Sequence, residues 1–450
     1  MRKILPKNLI SLANHTQKPL YVVGGSVRDH LANFPLSNPD WDICAPLDAE
    51  IFADVASKHG FEVKSVYKNT GTVKLKDQDG IDYEYSCFRS DKYVRGTHVP
   101  VEIYFTDDIS LDARRRDFTV NAIYYDIKAD KFEDPLFGIP AIQEKRLSTV
   151  APAEKVFGED GLRLMRLARQ AAQLGFSPDG DCLIGARKNA ALIQDISPER
   201  IFTELMAILH ADEKNGIKDG HYYGLKLLDE IGVFSYILPE LSAGKGLAQR
   251  ADFHKYDVLE HSLRAVKYAD KSIRLAALLH DVGKPICMRR DGNAHAHHEE
   301  GKTIVKEILS RLKAPKKTIE NVYNLTEFHM YDFDCKVKEN KLRRFFVSHT
   351  DILEELLLLK QADFSACADN LSPAPTVLRW KKLLAQMQEE KVPFSLKSLA
   401  MNGNDLLKIG IQSRNISAVL EKMLLHTAVT PKDNEKERLL QLAKGFENSL

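Results

Sequence analysis

A closely spaced acid pair follows a short apolar segment near the start of the sequence. The segment YVVGGSVRDH covers residues 21–30, and Asp40 and Asp42 stand in the stretch DWDIC. Residues two apart on a strand point to the same side, so these carboxylates can hold one or two Mg²⁺ ions together. Two like charges this close are costly without a cation. Metal ions held between carboxylates and a triphosphate are a common means of aligning an in-line attack on phosphorus.

The glycines of the same segment favour binding of phosphate. Gly24 and Gly25 end an apolar strand and precede a helix-forming stretch that contains Arg28. Backbone N–H groups at a helix N-terminus favour phosphate oxygens, and Arg28 adds a fixed cation. An ordinary glycine turn between strand and helix is the alternative, because short glycine motifs often match by chance. The nearby acid pair favours the nucleotide interpretation.

Two further segments add charged groups to this picture. The stretch DYEYSCFR contains Glu84, which would either support the metal site or lie on a solvated face. The stretch LDARRRDFTVNAI, residues 111–123, carries three consecutive arginines, among them Arg115. A solvated, salt-bridged turn is one interpretation of this run. Bidentate contact with phosphate is the other, because the guanidinium group suits it.

The stretch GEDGLRLMRLARQ spaces one acid and three arginines at intervals of three residues. These residues are Asp160, Arg163, Arg166 and Arg169. The spacing predicts one helical face that carries all four, with Asp160 paired to Arg163. A capped helix with exposed arginines is the alternative interpretation. An acid and a guanidinium in register can also offer acceptors and donors to the edge of a nucleotide base.

Four motifs in this order and spacing resemble one family. GGSVRD, DWD, RRDFTVNAIYYD and EDGLRLMR are similar to the class II tRNA nucleotidyltransferases, which include CCA-adding enzymes and bacterial poly(A) polymerases. The resemblance implies a DNA polymerase beta-like head, a helical neck, and body and tail domains that hold the tRNA acceptor arm. It continues into the tail, where SLAMNGNDLLKIGI resembles the end of bacterial members. It therefore covers nearly the whole chain.

The resemblance also implies roles for individual residues. Asp40 and Asp42 would be catalytic and would bind Mg²⁺. Asp160 and Arg163 would read the base of CTP or ATP. The complete set of residues expected to bind the nucleotide is Gly24, Gly25, Arg28, Arg115, Asp160, Arg163, Arg166 and Arg169. The segment 89–102 resembles the flexible loop that is tied to the switch from C to A addition.

A second constellation of histidines and aspartates occupies the middle of the chain. His261, the adjacent pair His280-Asp281, and Asp363 occur in an order that resembles an HD domain. In that resemblance they bind metals for phosphoester hydrolysis, so a second divalent metal is expected there. The stretches HAHHEEG and LTEFHM supply further histidines, His298 and His329. Histidines with ordinary structural roles are the alternative.

The elements that must position these residues change in character near residue 151. Before it, short runs alternate apolar and polar residues and are separated by Gly and Asp, which is typical of strands. After it, apolar residues recur at helical spacing. The sequence predicts an α+β protein with a mixed-sheet head and all-α domains behind it. The expected domains are a catalytic head at 1–150, a neck and body for base and RNA binding at 151–245, an HD domain at 246–370 and a tRNA-binding tail at 371–450.

Composition limits the class of protein. The 450 residues are 44% hydrophobic and 28% charged, with a net charge of +1. No apolar run approaches the roughly 20 residues that a membrane span needs, so no membrane partner is expected. The six cysteines are scattered without a CxxC pair, which is typical of reduced thiols in the cytoplasm. Basic runs at 313–317, 341–344 and 379–382 are expected to contact the phosphates of tRNA.

Three functions are consistent with these observations. The first is a tRNA nucleotidyltransferase that adds all or part of CCA to tRNA 3′ ends from CTP and ATP without a template. The second is a bacterial poly(A) polymerase, which differs in its use of CTP and in whether addition stops. The third is an HD-domain phosphohydrolase whose head only binds nucleotide. The acid pair argues against the third, because a head that only binds has little use for two charged metal ligands.

Overall fold

A computed structural model describes residues 1–36, 40–94, 100–252 and 254–448 of the chain. The chain divides into two compact units, Met1–Ser242 and Ala243–Leu450. All strands of the described residues lie in the first unit, and the described part of the second is helical. The expected α+β class is therefore confirmed. The finer division into four domains stays a prediction.

The described residues of the first unit contain eleven strands. In chain order they are β1 Tyr21–Val23, β2 Trp41–Ala45, β3 Glu62–Tyr67, β4 Thr72–Lys76, β5 Asp82–Cys87, β6 Arg89–Lys92, β7 Glu102–Phe105, β8 Tyr124–Asp126, β9 Lys131–Glu133, β10 Arg146–Leu147 and β11 Ser177–Pro178. Seven of them form one sheet in the order β3-β4-β5-β2-β1-β8-β9. Only β2 and β5 run parallel within it.

The centre of this sheet positions the acid pair. Strand β1 lies between β2 and β8, and all three of its residues are buried. Its Val23 pairs in register with Asp42 of β2, and Asp42 pairs in register with Glu84 of β5. Because β2 alternates, Trp41 and Ile43 enter the core while Asp42 points to the opposite, exposed face. The apolar residues thus fix the direction of the carboxylate.

Thirteen α-helices accompany the strands in the described part of the first unit. They are α1 Lys7–His15, α2 Gly25–Leu31, α3 Ala49–Lys58, α4 Ile109–Arg114, α5 Gly138–Gln143, α6 Ala153–Glu159, α7 Leu162–Leu174, α8 Gly180–Asn189, α9 Pro198–Leu209, α10 Ala211–Asn215, α11 Gly220–Glu230, α12 Phe234–Ile237 and α13 Pro239–Ser242. Helix α7 buries Leu164, Met165 and Leu167 and ends at Gly175, whose φ of 65° suits a residue without Cβ.

In the second unit, eleven α-helices are formed by the described residues. They are α14 Val258–Tyr268, α15 Arg274–Leu279, α16 Lys284–Asp291, α17 His297–Arg311, α18 Lys316–Phe328, α19 Glu339–Ser348, α20 Leu353–Ala368, α21 Pro375–Glu389, α22 Gly403–Lys408, α23 Ile416–Val429 and α24 Lys436–Asn448. Helix α14 begins after Asp257, whose carboxylate accepts a hydrogen bond from the Glu260 amide. Among the described residues, no helix is long and apolar enough to cross a membrane.

Strands β6 and β7 form a separate antiparallel pair. They contain the two ends of the segment that resembles the flexible loop of the C-to-A switch. The middle of that segment, residues 95–99, lies outside the described residues.

Candidate functional site

The Asp42 carboxylate lies against the backbone of Gly24. Gly24 joins β1 to α2 with a φ of 82°, a conformation that residues with a Cβ rarely adopt. A Cβ built on Gly24 would come within 3.0 Å of Asp42 Oδ2. The sequence therefore uses glycine here for its backbone angle and for its lack of a side chain beside the carboxylate. Gly25 opens α2, and the guanidinium of Arg28 is its nearest side-chain neighbour.

Three carboxylates share this face of the head. Asp40 immediately precedes β2, and Glu84 is the in-register neighbour of Asp42 on β5. Desolvation by the surrounding protein, together with the charges of Glu84 and Asp40, raises the pKa of Asp42 to about 6, although Arg116 opposes this. A bound divalent cation would relieve this crowding of negative charge. The donor atoms are all oxygens, which fits a hard cation.

Replacing Gly24 tests whether its closeness to Asp42 matters. We expect Gly24→Ala to lower nucleotide addition by about tenfold or more, because displacing a catalytic group by about 1 Å can cost about 10²-fold. Gly80→Ala is a matched control, since Gly80 has the same φ of 82° with nothing within 4 Å of its built Cβ. The two variants place a Cβ at the same positive φ and differ in the contact with Asp42. Equal activities, measured as kcat/KM for CTP, would contradict the prediction.

Arg28 is buried and engaged with protein groups. Its Nε and Nη2 lie 2.8 Å and 2.6 Å from Asp29 Oδ1, and its Nη1 donates to Asn121 Oδ1 at 2.7 Å. Asn121 in turn donates through Nδ2 to Asp117 Oδ1 at 2.9 Å. Arg28 thus lies at one end of a buried series of hydrogen-bonded side chains. Its link to the expected phosphate site is its position on α2, whose first residues are expected to bind phosphate.

The same series of buried hydrogen bonds continues to helix α7. Asp117 Oδ2 accepts from Nε of Arg166 at 2.8 Å and from its Nη2 at 2.5 Å. Burial by itself would raise the pKa of Asp117, but the Arg166 guanidinium and the Asn121 amide hold it well below its usual range. Asp117 is therefore ionised and joins the head to α7. Sequence reasoning did not select Asp117 or Asn121, although both lie within the RRDFTVNAIYYD motif.

The arginine run forms a second buried cluster. Arg115 Nε and Arg116 Nη2 donate to the two oxygens of Asp112, at 2.7 Å and 3.1 Å. Tyr124 also donates to Asp112, at 2.7 Å. Burial opposes ionisation, yet the two arginines lower the pKa of Asp112 to about 2. Because the charge of Arg116 reaches Asp42, Arg116 belongs to the site although only Arg115 was selected from the run.

The expected helical face with one acid and three arginines is only partly correct. Asp160 lies in the turn between α6 and α7, in an extended conformation, and its Oδ1 accepts from the Leu162 amide. The expected Asp160–Arg163 pair does not form, because Arg163 Nη1 bonds Glu159 and the Val156 carbonyl, each at 2.9 Å. Helix α7 starts after Asp160, so the regular spacing does not extend to the acid.

The three arginines of α7 have different partners. Arg163 is buried, donates to the Arg115 carbonyl at 3.1 Å, and lies over the ring of Tyr93 at 5.5 Å. Arg166 binds Asp117, as described above. Arg169 donates to Glu204 on α9 at 2.6 Å. Arg163 and Arg166 thus reach the head, whereas Arg169 is held by a neighbouring helix.

In the second unit, the predicted HD residues meet. His261 and His280 place their Nε2 atoms 3.3 Å apart and 3.0 Å and 3.5 Å from Asp363 Oδ1. Asp281 Oδ2 lies 3.3 Å and 3.2 Å from the same two nitrogens. Lys284 also contacts this oxygen, at 2.7 Å. Imidazole nitrogens and carboxylate oxygens that converge in this way fit a divalent transition-metal ion.

The other oxygen of Asp281 faces a second group. Asp281 Oδ1 lies 3.1 Å from His297 Nε2 and 3.8 Å from His329 Nε2. The Nδ1 atoms of His280, His297 and His329 lie 2.8 Å, 2.8 Å and 2.6 Å from backbone carbonyls. This pairing orients each Nε2 toward Asp281, an arrangement common among metal-binding histidines. One buried carboxylate therefore separates two groups of candidate ligands.

One histidine of this second group was assigned to the wrong position. The sequence interpretation took His298 from HAHHEEG, but His297 is the buried residue at Asp281. His298 is half-buried and lies 3.7 Å from Glu299. Both residues begin α17, so only the packing of that helix decides which imidazole points inward.

Two arginines of the basic runs are paired with acids, one of them buried and the other half-buried. Arg343 is buried and bonds Glu390 at 2.6 Å and 3.0 Å. Arg379 bonds the buried Asp332 at 2.7 Å and 2.9 Å. The expectation that these runs contact phosphate therefore does not hold for these two side chains as they are placed.

Comparison with known proteins matches three family models. The model of the poly A polymerase head domain matches residues 20–148. The model of a probable RNA and SrmB-binding site of polymerase A matches residues 175–245. The HD domain model matches residues 258–364. Head and HD domains of these kinds imply dependence on divalent metal ions, for which the acids and histidines described above supply ligands.

Similar proteins come from several bacteria. The multifunctional CCA protein of Xylella fastidiosa is 30% identical over 371 residues, 76% of this chain and 83% of that protein. The A-adding tRNA nucleotidyltransferase of Deinococcus radiodurans is 29% identical over 392 residues, 82% of each chain.

A solved structure shares the fold. The crystal structure of the Bacillus stearothermophilus CCA-adding enzyme in complex with CTP superposes with a TM-score of 0.68 at 24% identity, covering 99% of both chains. Together with the motifs and the matched head, RNA-binding and HD models, these similarities show that the chain belongs to the class II tRNA nucleotidyltransferase family of CCA-adding enzymes and poly(A) polymerases.

Proposed function

We propose that this protein adds cytidine and adenosine to the 3′ end of tRNA from CTP and ATP, without a nucleic acid template. The observation that carries the proposal is the set of acids on the head sheet, where Asp42 lies against Gly24 and beside Glu84. Such a set has a clear use in nucleotidyl transfer, in which the triphosphate and the attacking hydroxyl must be brought together. The names of the similar proteins support tRNA as the acceptor.

The acids of the head would hold Mg²⁺. Asp40 and Asp42 are the proposed ligands, with Glu84 in support. The carboxylate oxygens of these three residues do not all lie within 4.8 Å of one another, so they do not form a closed cage of ligands. This fits Mg²⁺, which commonly binds one or two carboxylates and completes its shell with water and substrate phosphates. When bound, the ion would neutralise triphosphate charge and favour the ionised 3′-hydroxyl.

Residues of the head would orient the nucleotide. Gly24 and Gly25 leave the backbone open beside Asp42, so that a triphosphate can approach it closely. Arg115 and Arg116 present positive charge near the acids, and Asp112 holds their guanidinium groups in place. Arg28 would contribute indirectly, by holding Asn121 in place, because its own N–H donors are used by Asp29 and Asn121.

The turn before α7 would read the base. Asp160 is half-buried, and its Oδ2 accepts no hydrogen bond among the described residues, so it can accept from a base edge. Arg163 is fixed beside it by Glu159 and two carbonyls, which leaves Nε–H as a donor. Arg166 and Arg169 would complete the pocket from α7. Readout by side chains fixed in this way explains selection without a template.

Removing the proposed base acceptor should change nucleotide choice. We expect Asp160→Ala to weaken use of CTP and ATP relative to UTP and GTP by about 5- to 150-fold, because each unpaired polar group costs about 1 to 3 kcal/mol. The measurement is kcat/KM for each nucleotide on one tRNA that lacks its final residues. Glu154→Ala, on an exposed part of α6, is the control. Uniform loss with all four nucleotides would instead assign Asp160 to catalysis or folding.

The reaction itself is tested with defined acceptors. Purified protein is incubated with tRNAs that end before, within and after CC, with each nucleoside triphosphate supplied separately. Addition of two C residues and one A, followed by a stop, is the expected result. Addition of A alone, only after CC, would indicate an A-adding enzyme. Continued addition of A would indicate a poly(A) polymerase.

The rest of the chain would serve the same substrate. In this proposal, residues 151–245 form the neck and body that contact base and RNA, residues 246–370 form the HD domain, and residues 371–450 form a tail that binds the tRNA acceptor arm. A cytoplasmic location is proposed because the six cysteines are free thiols, as expected in a reducing compartment.

A second activity is favoured by one specific observation. Asp281 faces a group of imidazoles with each of its two carboxylate oxygens. A carboxylate shared in this way fits a pair of divalent ions, an arrangement that catalyses displacement at phosphorus. We propose that His261, His280, Asp281 and Asp363, with His297 and His329, hold metal for hydrolysis of phosphate esters.

A further inference from the structure

A third group of potential metal ligands lies beside the HD residues and contains a cysteine. His254 precedes α14, His261 lies within α14, and Cys367 lies near the end of α20. One ligand atom of each residue lies within 4.8 Å of one ligand atom of the other two. A tetrahedral ion with ordinary Zn–N and Zn–S bonds would separate these atoms by about 3.3 to 3.6 Å. Side-chain rotations that draw the three atoms closer together would enclose an ion.

His261 differs from the other histidines that surround Asp281. His280, His297 and His329 each pair Nδ1 with a backbone carbonyl. His261 is fully buried, yet its Nδ1 has no hydrogen-bond partner among the described residues. A buried polar atom of this kind costs free energy unless something binds it. With Nε2 facing the HD carboxylates, His261 has a second nitrogen available for another ion.

His254 shows the same deficiency. Its Nδ1 is buried and also has no hydrogen-bond partner within the described part of the chain. Its ring packs edge-on against the ring of His261, with 4.8 Å between the two centroids. Two neighbouring imidazoles thus each bury a nitrogen that no group of the described residues satisfies.

The backbone holds the cysteine in this place. Cys367 follows Asp363 by one helical turn on α20, so the two side chains lie on the same face of that helix. The Lys255 amide donates to the Cys367 carbonyl at 2.8 Å, which ties the segment carrying His254 to the end of α20. The HD acid and the cysteine are therefore adjacent ligands presented by one helix.

We propose that His254, His261 and Cys367 form a separate site for a thiophilic divalent cation such as Zn²⁺ or Ni²⁺. Thiolate and imidazole are the ligands that such ions prefer, whereas Mg²⁺ prefers oxygen. On binding, the Cys367 thiol loses its proton to solvent and its sulfur forms a bond to the metal. When His261 Nε2 also holds an ion of the HD group, the His261 imidazole loses its N–H proton to solvent as well and bridges the two ions as imidazolate. Through His261, this site adjoins the HD ligands, but it does not depend on the hydrolytic activity proposed for them.

Cobalt substitution tests this site directly. Full-length protein is freed of metal with a chelator and titrated with Co²⁺ under anaerobic conditions. A thiolate ligand gives an intense sulfur-to-Co²⁺ charge-transfer band in the near ultraviolet, which ligands with only nitrogen and oxygen do not give. We expect the band in the wild type and its loss in both Cys367→Ser and His254→Ala. Zn²⁺ in excess over all the proposed metal sites should bleach it.

Two controls separate this site from other thiols and from the HD centre. Cys335→Ser removes another half-buried cysteine, whose neighbour is Thr376, and should keep the band. His329→Ala removes a ligand of the second HD group and should also keep it. Absence of the band in the wild type, or its persistence in Cys367→Ser, would overturn the proposal. Should Cys367→Ser not fold, as judged by circular dichroism, persistence of the band in His254→Ala would overturn it.

Discussion

Asp42→Ala is expected to reduce the addition of C and of A alike by about 10³-fold, with the fold retained. The carboxylate points away from the core of β2, so its removal leaves Trp41 and Ile43 packed as before. It is the acid that lies against Gly24, where the nucleotide is proposed to bind. Loss of a single group that stabilises transition-state charge typically costs about 10² to 10³ in rate. Single-turnover incorporation of labelled CTP and ATP measures the effect.

A surface acid of the head provides the comparison. Asp54 lies exposed on α3 and pairs with Lys58 at 2.5 Å, an interaction that contributes little to stability. Asp54→Ala should therefore keep full activity. Near-normal incorporation by a folded Asp42→Ala protein would show that this acid is not a ligand of the reaction's metal.

The second large effect is expected at Asp281. Asp281→Asn keeps the shape of the side chain but removes the charge that faces both histidine groups. We expect bound metal in the HD domain to fall and hydrolysis of 2′,3′-cyclic phosphates or phosphate monoesters to drop by at least about 100-fold. Nucleotide addition should be unchanged, because the ligands proposed for it, Asp40 and Asp42, belong to the head. Metal content and hydrolysis with Ni²⁺, Mn²⁺ and Mg²⁺ are the measurements.

A neighbouring histidine makes a close control for this variant. His298→Ala changes a half-buried imidazole one residue from His297, outside both groups of ligands. It should keep metal and hydrolysis at the wild-type level. Absence of hydrolysis in the wild type with all three metals would limit the HD residues to a structural role. Asp281→Asn also leaves Lys284 without its buried acid, so thermal unfolding must be measured alongside.

Patterns within short stretches of sequence predicted features that depend only on neighbouring residues. The sequence DWDIC was predicted to lie in a strand, and residues 41–45 do form β2, because side chains that alternate between buried and exposed positions favour a strand. The glycines were expected where a strand meets a helix, and Gly24 does join β1 to α2, whereas their contact with phosphate stays a prediction. Spacing of three residues likewise grouped the arginines of α7, since i, i+3 neighbours lie on one helical face.

The failures came from partners that are distant in the sequence or from helix ends. Asp160 fell outside α7 because Gly161 is the N-cap and the helix starts at Leu162, so helical spacing does not apply to the acid. Arg343 was expected to be exposed within a basic run, but Glu390 lies 47 residues away and binds it internally. Contacts of this range are set by packing, which no local pattern contains.

The orientation of one amide has a consequence for how the first unit can move. Asn121 turns its oxygen to Arg28 and its nitrogen to Asp117, so reversing it would break both bonds. Aspartate at position 121 would place its carboxylate beside that of Asp117, and the two like charges would repel. Leucine would leave the buried charges of Arg28 and Asp117 without this hydrogen-bond partner. Asp117 also binds Arg166, which extends this series of hydrogen bonds to α7. Helix α7 therefore cannot shift far relative to the sheet without breaking one of these bonds. The sheet that carries the acids and the helix proposed to read the base are thus mechanically coupled. A nucleotide that is misplaced at one of them would therefore disturb the other.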